Sequence, residues 1–488
     1  MQSRTARLYQ VPEGQRSKRQ CQSDVGRKPG TEEDTVKKNN DKKDLTGKLE
    51  VNPAKSEDSA GIPNWYEGFV FKDESLVFEL IRVMGKATEH GADLGEALST
   101  ALRIKQREGN RQALLDAWYQ EWRKLAERIE KVGDECLAKG HKVSARDAYL
   151  RASEYYRSAD FYLHDNPGNP AILQLWDKME SCFERARKLS LPSFETVKIP
   201  YEGTVLPGYF CSAAPKGRRA PTIIIHQGFD GTIQELYLSY GKDAVRRGYN
   251  CLMFEGPGQG SVIRRQGLPY RHDWEKVVTP VVDYALKRKD VDPKRIILYG
   301  ISMGGYLASR AAAYEHRLAA LIANSGILDN WAQTYERVGM KREELIKFIE
   351  DKPEEFNTMC MEAMKTNITT FWGLTNGLWT FAVKTPAELN LKQSKYNVAD
   401  CAHLISCPTL VVDSDAEQFF GGQPRKLYDA LRCPKTYLVF KTGEGSELHC
   451  QAGGNLLGNQ CIYDWLDETL AGSESNVFRR SGIGLNVS

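Results

Sequence analysis

Apolar and aromatic residues between residues 62 and 191 recur every three or four positions. Leu114, Trp118, Trp122 and Leu125 form one such stripe, and Tyr149, Ala152, Tyr156 and Ala159 another. This spacing predicts amphipathic helices, and the segment carries no strand signal and no second copy at a fixed period. Asn166-Pro-Gly-Asn-Pro170 predicts a turn between two of them. From Phe194 the period becomes two, and 195–210 predicts a β-hairpin turning near Gly203. Beyond it, short apolar runs at 222–225, 251–254, 296–299, 319–323, 409–412 and 437–440 alternate with helix-length segments at 235–247, 273–287, 303–314, 424–431 and 455–470. Strands that are apolar on both faces and alternate with helices predict an α/β fold. Its sheet is expected to have eight strands, mostly parallel, covered on both sides and opened by the antiparallel hairpin.

One interval interrupts the alternation. Residues 328–404 read as helical and are rich in Trp, Met and Phe, including Trp331, Met359, Phe371, Trp372 and Trp379. An insertion between two strands at this point would lie over the carboxyl ends of the sheet, where ligands bind in such folds, and is expected to form a lid. The expected organisation is a disordered tail over 1–60, a helical cap over 62–191, a first part of the core over 194–327, the lid over 328–404, a second part of the core over 405–471 and a flexible end over 472–488.

Composition narrows the function classes. The chain has 488 residues, 41% hydrophobic and 27% charged, with no apolar run of membrane-spanning length. The first residues lack the apolar core of a secretory signal, and the 11 cysteines lack C-x-x-C pairs and metal-ligand spacing. Both features predict reduced thiols, a cytoplasmic location, and neither metal nor cofactor. Residues 1–60 hold 13 basic and 10 acidic side chains, which accounts for the whole net charge of +3. Mixed charge of this kind predicts a solvated tail, and no basic patch interleaved with aromatics points to nucleic acid. The expected partner is a small-molecule substrate, with a homodimer as the candidate assembly.

The chemistry gathers at Gly300-Ile-Ser302-Met-Gly304, directly after one strand run and directly before a small-residue helix pattern. A serine on a sharp strand-to-helix turn projects its hydroxyl above the sheet, where a base can reach it. A serine hydroxyl needs that base, and the base needs an orienting acid, in the chain order Ser, acid, His on this architecture. His449, in a glycine-rich segment, is the one histidine after the last strand run. The acid is expected after the 409–412 strand. Asp413 reads as structural, Glu417 is favoured because it lies about nine residues past Pro408 as this slot usually does, and Asp415 is the alternative. Two backbone N–H groups should face the developing oxyanion, those of Met303 and, from the turn after the 222–225 strand, Phe229. The glycine-rich turn Glu255-Gly-Pro-Gly-Gln-Gly260 lacks a G-K-[ST] ending and dinucleotide-fingerprint spacing, so it is not expected to bind phosphate.

With these residues in hand the chain resembles the α/β-hydrolase superfamily. More narrowly it is similar to the group containing bacterial 2,6-dihydropseudooxynicotine hydrolase and fungal hydrolases of polyketide pathways. The resemblance spans about residues 64–471. It is carried by the helical stretch 144–157, the segment 199–209, the turn Gly228-Phe-Asp-Gly-Thr232, Phe419-Phe-Gly-Gly-Gln-Pro424, Leu448-His-Cys-Gln451 and Asp464-Trp-Leu-Asp467. It implies a helical cap over the site, an ester, thioester or β-dicarbonyl C–C bond as the target, and a place in secondary metabolism, while the Trp-, Met- and Phe-rich lid segment itself suggests a bulky, mostly apolar substrate. It also implies a role for Glu235, by position the glutamate following the oxyanion turn. Glutamate at 417 departs from the aspartate expected in relatives, which keeps Asp415 open. Acyl transfer through the same serine, and a catalytically silent binding protein, are the competing readings.

Overall fold

The computed structural model of the protein describes residues 64–190, 194–213 and 217–480. The expected 1–60 tail therefore lies outside the described residues.

Burial along each strand explains its sequence pattern. Strand β1 (Glu195–Tyr201) alternates exposed and buried positions, whereas β4 (Asn250–Phe254) and β6 (Ala320–Asn324) are buried throughout. The first pairs with β2 (Thr204–Cys211) across a turn in which Glu202 and Gly203 both have positive φ, 36° and 80°. Such a turn matches the twist of a two-residue hairpin. Together with β3 (Ala220–His226), β5 (Val291–Ile301), β7 (Thr409–Ser414) and β8 (Lys435–Phe440), these strands form one eight-stranded sheet in the order β1-β2-β4-β3-β5-β6-β7-β8. The β1–β2 and β2–β4 pairs are antiparallel and the remaining pairs parallel.

Successive strand residues feed two hydrophobic cores. Ile224, Leu252, Leu298 and Leu321 face one, with α8 (Glu275–Leu286) and α9 (Gly304–Ala312) packed over them. Ile223, Ile225, Met253 and Tyr299 face the other, which is continuous with the N-terminal helical region. That region comprises α1 (Glu74–Met84), α2 (Leu94–Lys105), α3 (Arg111–Ala138), α4 (Lys142–Asp160) and α5 (Pro170–Lys188). Trp118 and Trp122 on α3 are fully buried, as are Tyr149 and Tyr156 on α4. The predicted turn at 166–170 holds. Asn169 caps α5 by accepting from the Ala171 N–H at 3.0 Å, and Pro170 occupies a first-turn position that needs no N–H donor.

Two elements differ from expectation. The helix predicted over 235–247 is divided into α6 (Ile233–Leu236), a π turn over Tyr237–Gly241 and α7 (Lys242–Arg246). The wider turn buries Tyr237 against Phe194, ring centroids 4.5 Å apart, and Tyr240 against Tyr299 at 5.5 Å. At the other end of the chain, α16 (Asn455–Arg480) continues beyond the predicted 470.

Between β6 and β7 the chain forms α10 (Ala332–Arg337), α11 (Arg342–Asp351), α12 (Pro353–Thr366), α13 (Ile368–Thr380) and α14 (Pro386–Gln393). These helices have a small core of their own, centred on Trp331, Leu345, Ile349 and Phe356. The β7–β8 connection carries α15 (Gln423–Ala430).

Candidate active site

Strand β5 ends at Ile301, and Ser302 adopts φ of 62°, in the left-handed region, before α9 begins at Gly304. A non-glycine residue there is strained, and the strain persists only because the surroundings dictate it. Small neighbours make the turn sterically feasible. A Cβ on Gly300 would stand 1.9 Å from the Gly304 carbonyl oxygen, and one on Gly305 would stand 1.7 Å from that of Ser325. No side chain fits at either position without backbone movement.

The turn lifts the Ser302 hydroxyl to His449, whose Nε2 lies 2.9 Å from Oγ. On the opposite side of the ring, Nδ1 is 2.7 Å from Glu417 Oε2. An ionised carboxylate only accepts, so Nδ1 carries a proton, and in the neutral ring Nε2 accepts from the serine hydroxyl. Glu417 is itself fixed. Its Oε1 accepts the Phe419 and Phe420 N–H groups at 2.9 and 3.2 Å, and the Ser325 hydroxyl donates to Oε2 at 2.6 Å. Burial raises the carboxyl pKa, but the His449 charge, the hydrogen bonds from His449 and Ser325 and that from the Phe419 N–H outweigh it and hold Glu417 below its usual range. Burial opposes the imidazolium too, yet Cys450 and Glu417 draw the ring well above the ordinary imidazole value. Phe419, Phe420 and Phe78 surround the ring at centroid distances of 4.9, 5.8 and 6.2 Å, the last reaching it from α1 of the N-terminal helices.

The other two acids point elsewhere. Asp415 Oδ2 accepts the Thr442 N–H at 3.1 Å, away from the ring. Asp413 accepts from the Tyr437 hydroxyl and from the Ser414 N–H, and burial pushes its carboxyl up to about 6. Two supports were not visible in the sequence pattern. Ser325 is the first. The second is the side-chain pairing of Asn324 with Gln451, in which Asn324 Nδ2 donates to Oε1 at 2.7 Å and anchors the histidine loop to the end of β6. Neither has a local signal, because the partners lie far apart along the chain.

Phe229 and Met303 line the same cavity as Ser302. Their backbone N–H groups donate to no group among the described residues. The two turns are in close contact, since a Cβ on Gly228 would come within 2.5 Å of the Met303 nitrogen. The Gly228 carbonyl accepts from the Tyr270 hydroxyl and, at 3.2 Å, from Gln259 Nε2. In a trans peptide C=O and N–H point in opposite directions, so anchoring this carbonyl aims the Phe229 N–H the other way. His226, at the start of the turn, is fully buried, and burial lowers it to about 4, which keeps it neutral. The 255–260 turn is stabilised internally. Glu255 Oε2 accepts from the Ser261 N–H and hydroxyl, each at 2.7 Å.

Glu235 also lines the cavity, at the first turn of α6, where it forms a capping box with Thr232. It is 2% exposed and ion-paired. Arg82 binds both of its oxygens at 2.8 Å, Lys86 approaches to 3.1 Å and Arg157 to 3.7 Å. Burial opposes the charge, but Arg157, Arg82 and Lys86 together hold this carboxyl far below its usual range. All three cations come from the N-terminal helical region, so the pairing could not be read from the sequence around residue 235. The cavity itself measures about 350 Å³ and is bounded by the sheet end, α1 and the helices between β6 and β7. Its wall is largely apolar, with Phe78, Phe161, Phe229, Phe356, Met359 and Trp372 contributing. Among the described residues no group of three His, Cys, Asp or Glu side chains could hold a metal ion, and no helix is long and apolar enough to cross a membrane.

Comparison with known proteins agrees with this architecture. The alpha/beta hydrolase family profile matches residues 223–443. Hydrolase LUC6 from Fusarium sp is 32% identical over 417 residues, covering 82% of this chain and 97% of its own. The 20-hydroxy-prefusarin hydrolase FUS2 of Gibberella moniliformis is 31% identical, covering 82% and 98% respectively. Among solved structures, 2,6-dihydroxy-pseudo-oxynicotine hydrolase superimposes with a TM-score of 0.60 at 20% identity, over 80% of this chain and 96% of that one, a likeness of fold. A nearly full-length relative above 30% identity, together with the sheet order and the matched profile, establishes that the chain belongs to the α/β-hydrolase family.

Proposed function

We propose that the protein is a serine hydrolase acting on a bulky, mostly apolar carbonyl compound, an ester, a thioester or a β-dicarbonyl C–C bond, in fungal secondary metabolism. The observation that carries this reading is the continuous relay from Glu417 through His449 to a Ser302 hydroxyl held on a strained turn. Ser302 Oγ bonds to the carbonyl carbon as His449 Nε2 takes its proton, and Glu417 stabilises the resulting imidazolium. The N–H groups of Phe229 and Met303 bind the oxyanion. Collapse of the tetrahedral adduct expels the leaving group, which takes the proton from His449. Water then attacks the acyl-serine with His449 again as base, releasing the acid and restoring the hydroxyl.

If the leaving group is carbon, the resemblance implies a part for Glu235, which lines the same cavity as Ser302. Paired with Arg82 and Lys86 it stays ionised and is a weak base, so it fits the orientation of a substrate or water group better than either acceptance of a proton or donation to a departing carbanion. The five helices between β6 and β7 serve as a lid, and the N-terminal helices as a cap that brings Phe78 to the His449 ring. The names of the fungal relatives support a place in secondary metabolism. Ten cysteines among the described residues are free thiols, which fits a cytoplasmic enzyme.

A fluorophosphonate probe tests the nucleophile. Intact-mass analysis is expected to show one adduct on the wild type and none on Ser302→Ala. Equal labelling of the two proteins would place the reactive group elsewhere and overturn this reading.

The oxyanion site makes a second prediction. Tyr270 is a positioning residue, since its hydroxyl holds the carbonyl of the peptide that carries the Phe229 N–H. Tyr270→Phe keeps the ring and removes one of the two tethers, leaving that from Gln259. It is expected to lower kcat by about 10-fold with KM changed less than about twofold, because a misaimed donor weakens the transition state more than the ground state. A change in KM alone would show that Tyr270 shapes the pocket and not the peptide.

A further inference from the structure

Arg337 stands out among the charged groups of the cavity. It closes the last turn of α10 and lines the cavity on the side formed by the β6–β7 helices. The other two basic side chains of the wall, Arg82 and Lys86, are ion-paired to Glu235. Three of the wall's acids, Glu79, Asp230 and Glu235, are engaged with Arg82. The fourth, Glu74, is exposed and makes no ion pair with Arg337. Arg337 itself is half-buried, and among the described residues it has no hydrogen bond, no ion pair and no aromatic ring beneath it. Burial without a counter-charge lowers its guanidinium from the usual value. A desolvated cation without a partner is costly, and a molecule presenting a planar oxyanion would satisfy it with two parallel charge-assisted bonds.

Two further atoms of the same wall are unsatisfied. Asn330 Oδ1 and Gln418 Oε1 are buried without a hydrogen-bond partner among the described residues. A wall of this kind rejects a purely hydrocarbon occupant, because each buried polar group would remain unpaired.

We propose that Arg337 anchors a carboxylate-type oxyanion carried by the substrate, so that the lid selects acidic carbonyl compounds over their neutral counterparts. The inference rests on the reading of this cavity as the substrate site, but it does not depend on the serine chemistry, and its test uses a protein that cannot turn over.

The experiment is calorimetric titration of the full-length Ser302→Ala protein with ω-phenyl carboxylates, from phenylbutyrate to phenyloctanoate, and with the matching primary amides. At least one carboxylate of the series is expected to bind about 10-fold more tightly than its amide, the usual scale for a hydrogen bond to a charged group. Adding Arg337→Gln is expected to bring the pair within about twofold, and Arg337→Lys to retain part of the preference, because an ammonium keeps the charge but loses the fork. Equal or weaker binding of every carboxylate, or no measurable carboxylate binding, would overturn the proposal. So would a preference that survives Arg337→Gln unchanged, which would move the anion to Arg82 or Lys86. Failure of the serine reading has a different signature, an unchanged fluorophosphonate adduct on Ser302→Ala.

Discussion

Ser302→Ala is expected to lower kcat by about 10⁴- to 10⁶-fold while leaving substrate affinity nearly unchanged. The size of the loss follows from what remains. On the proposed reading the Phe229 and Met303 amides would still face the carbonyl oxygen and His449 would still polarise a water, so a residual rate above the uncatalysed one is expected. What disappears is the covalent route, in which one difficult displacement is divided into two easier ones. Affinity should persist because the cavity wall is built from α1, the sheet end and the β6–β7 helices, none of which depends on the hydroxyl. Alanine at φ of 62° is no less strained than serine, so the variant keeps the cost of the turn and forfeits only the 2.9 Å hydrogen bond to His449. Thermal unfolding within a few degrees of the wild type would show that the fold is intact. Steady-state turnover within about 10-fold of the wild type would exclude Ser302 as nucleophile and favour direct attack by water.

Glu417→Gln is expected to cost about 10³- to 10⁴-fold in kcat, the scale seen when an orienting carboxylate becomes an amide. The amide can still accept the Phe419 and Phe420 N–H groups, so the loop geometry is conserved. If its N–H₂ is turned toward His449, the ring must accept at Nδ1, which moves the proton to Nε2, the wrong side for a base. The pH profile supplies the diagnostic sign. Burial lowers the His449 pKa, and Cys450 and Glu417 raise it by more, so the net direction is up. The base must be neutral, so the acid limb of kcat/KM should lie above the ordinary imidazole value in the wild type. Removing the Glu417 charge removes part of the upward pull, and the limb should move to lower pH as kcat falls. A limb that stays in place, or moves to higher pH, would show that Glu417 does not control the ring. The parallel variant Asp415→Asn should leave both rate and limb near wild type, since Asp415 bonds to the Thr442 N–H and not to the ring.

These expectations rest on parts of the chain that were legible to different degrees. The turn at Ser302 was the clearest. Gly300, Ser302 and Gly304 lie within five consecutive residues, and the steric demand on them is local, so the strand before and the helix after complete the signal. The strand runs were equally readable, because a run buried on both faces must be apolar throughout and a half-buried one must alternate. The single helix expected over 235–247 missed its π turn. Helical periodicity does not distinguish one extra residue per turn when the cause is packing of Tyr237 and Tyr240 against distant aromatics.

What the sequence by itself determined is therefore what neighbouring residues impose on one another: the order of strands and helices, the hairpin, the strained serine and the chain order of serine, acid and histidine. The tertiary structure decided every question of partnership. It brought Glu417, and not Asp415, to within 2.7 Å of His449, placed Ser325 behind the carboxylate, and joined Asn324 to Gln451. It also surrounded Glu235 with Arg82, Lys86 and Arg157, and placed Arg337 in the cavity wall with no counter-charge among the described residues. The physical reason is range. Periodicity and turn chemistry report forces acting over a few residues, whereas charge pairing and cavity shape arise between side chains that only the folded backbone brings together.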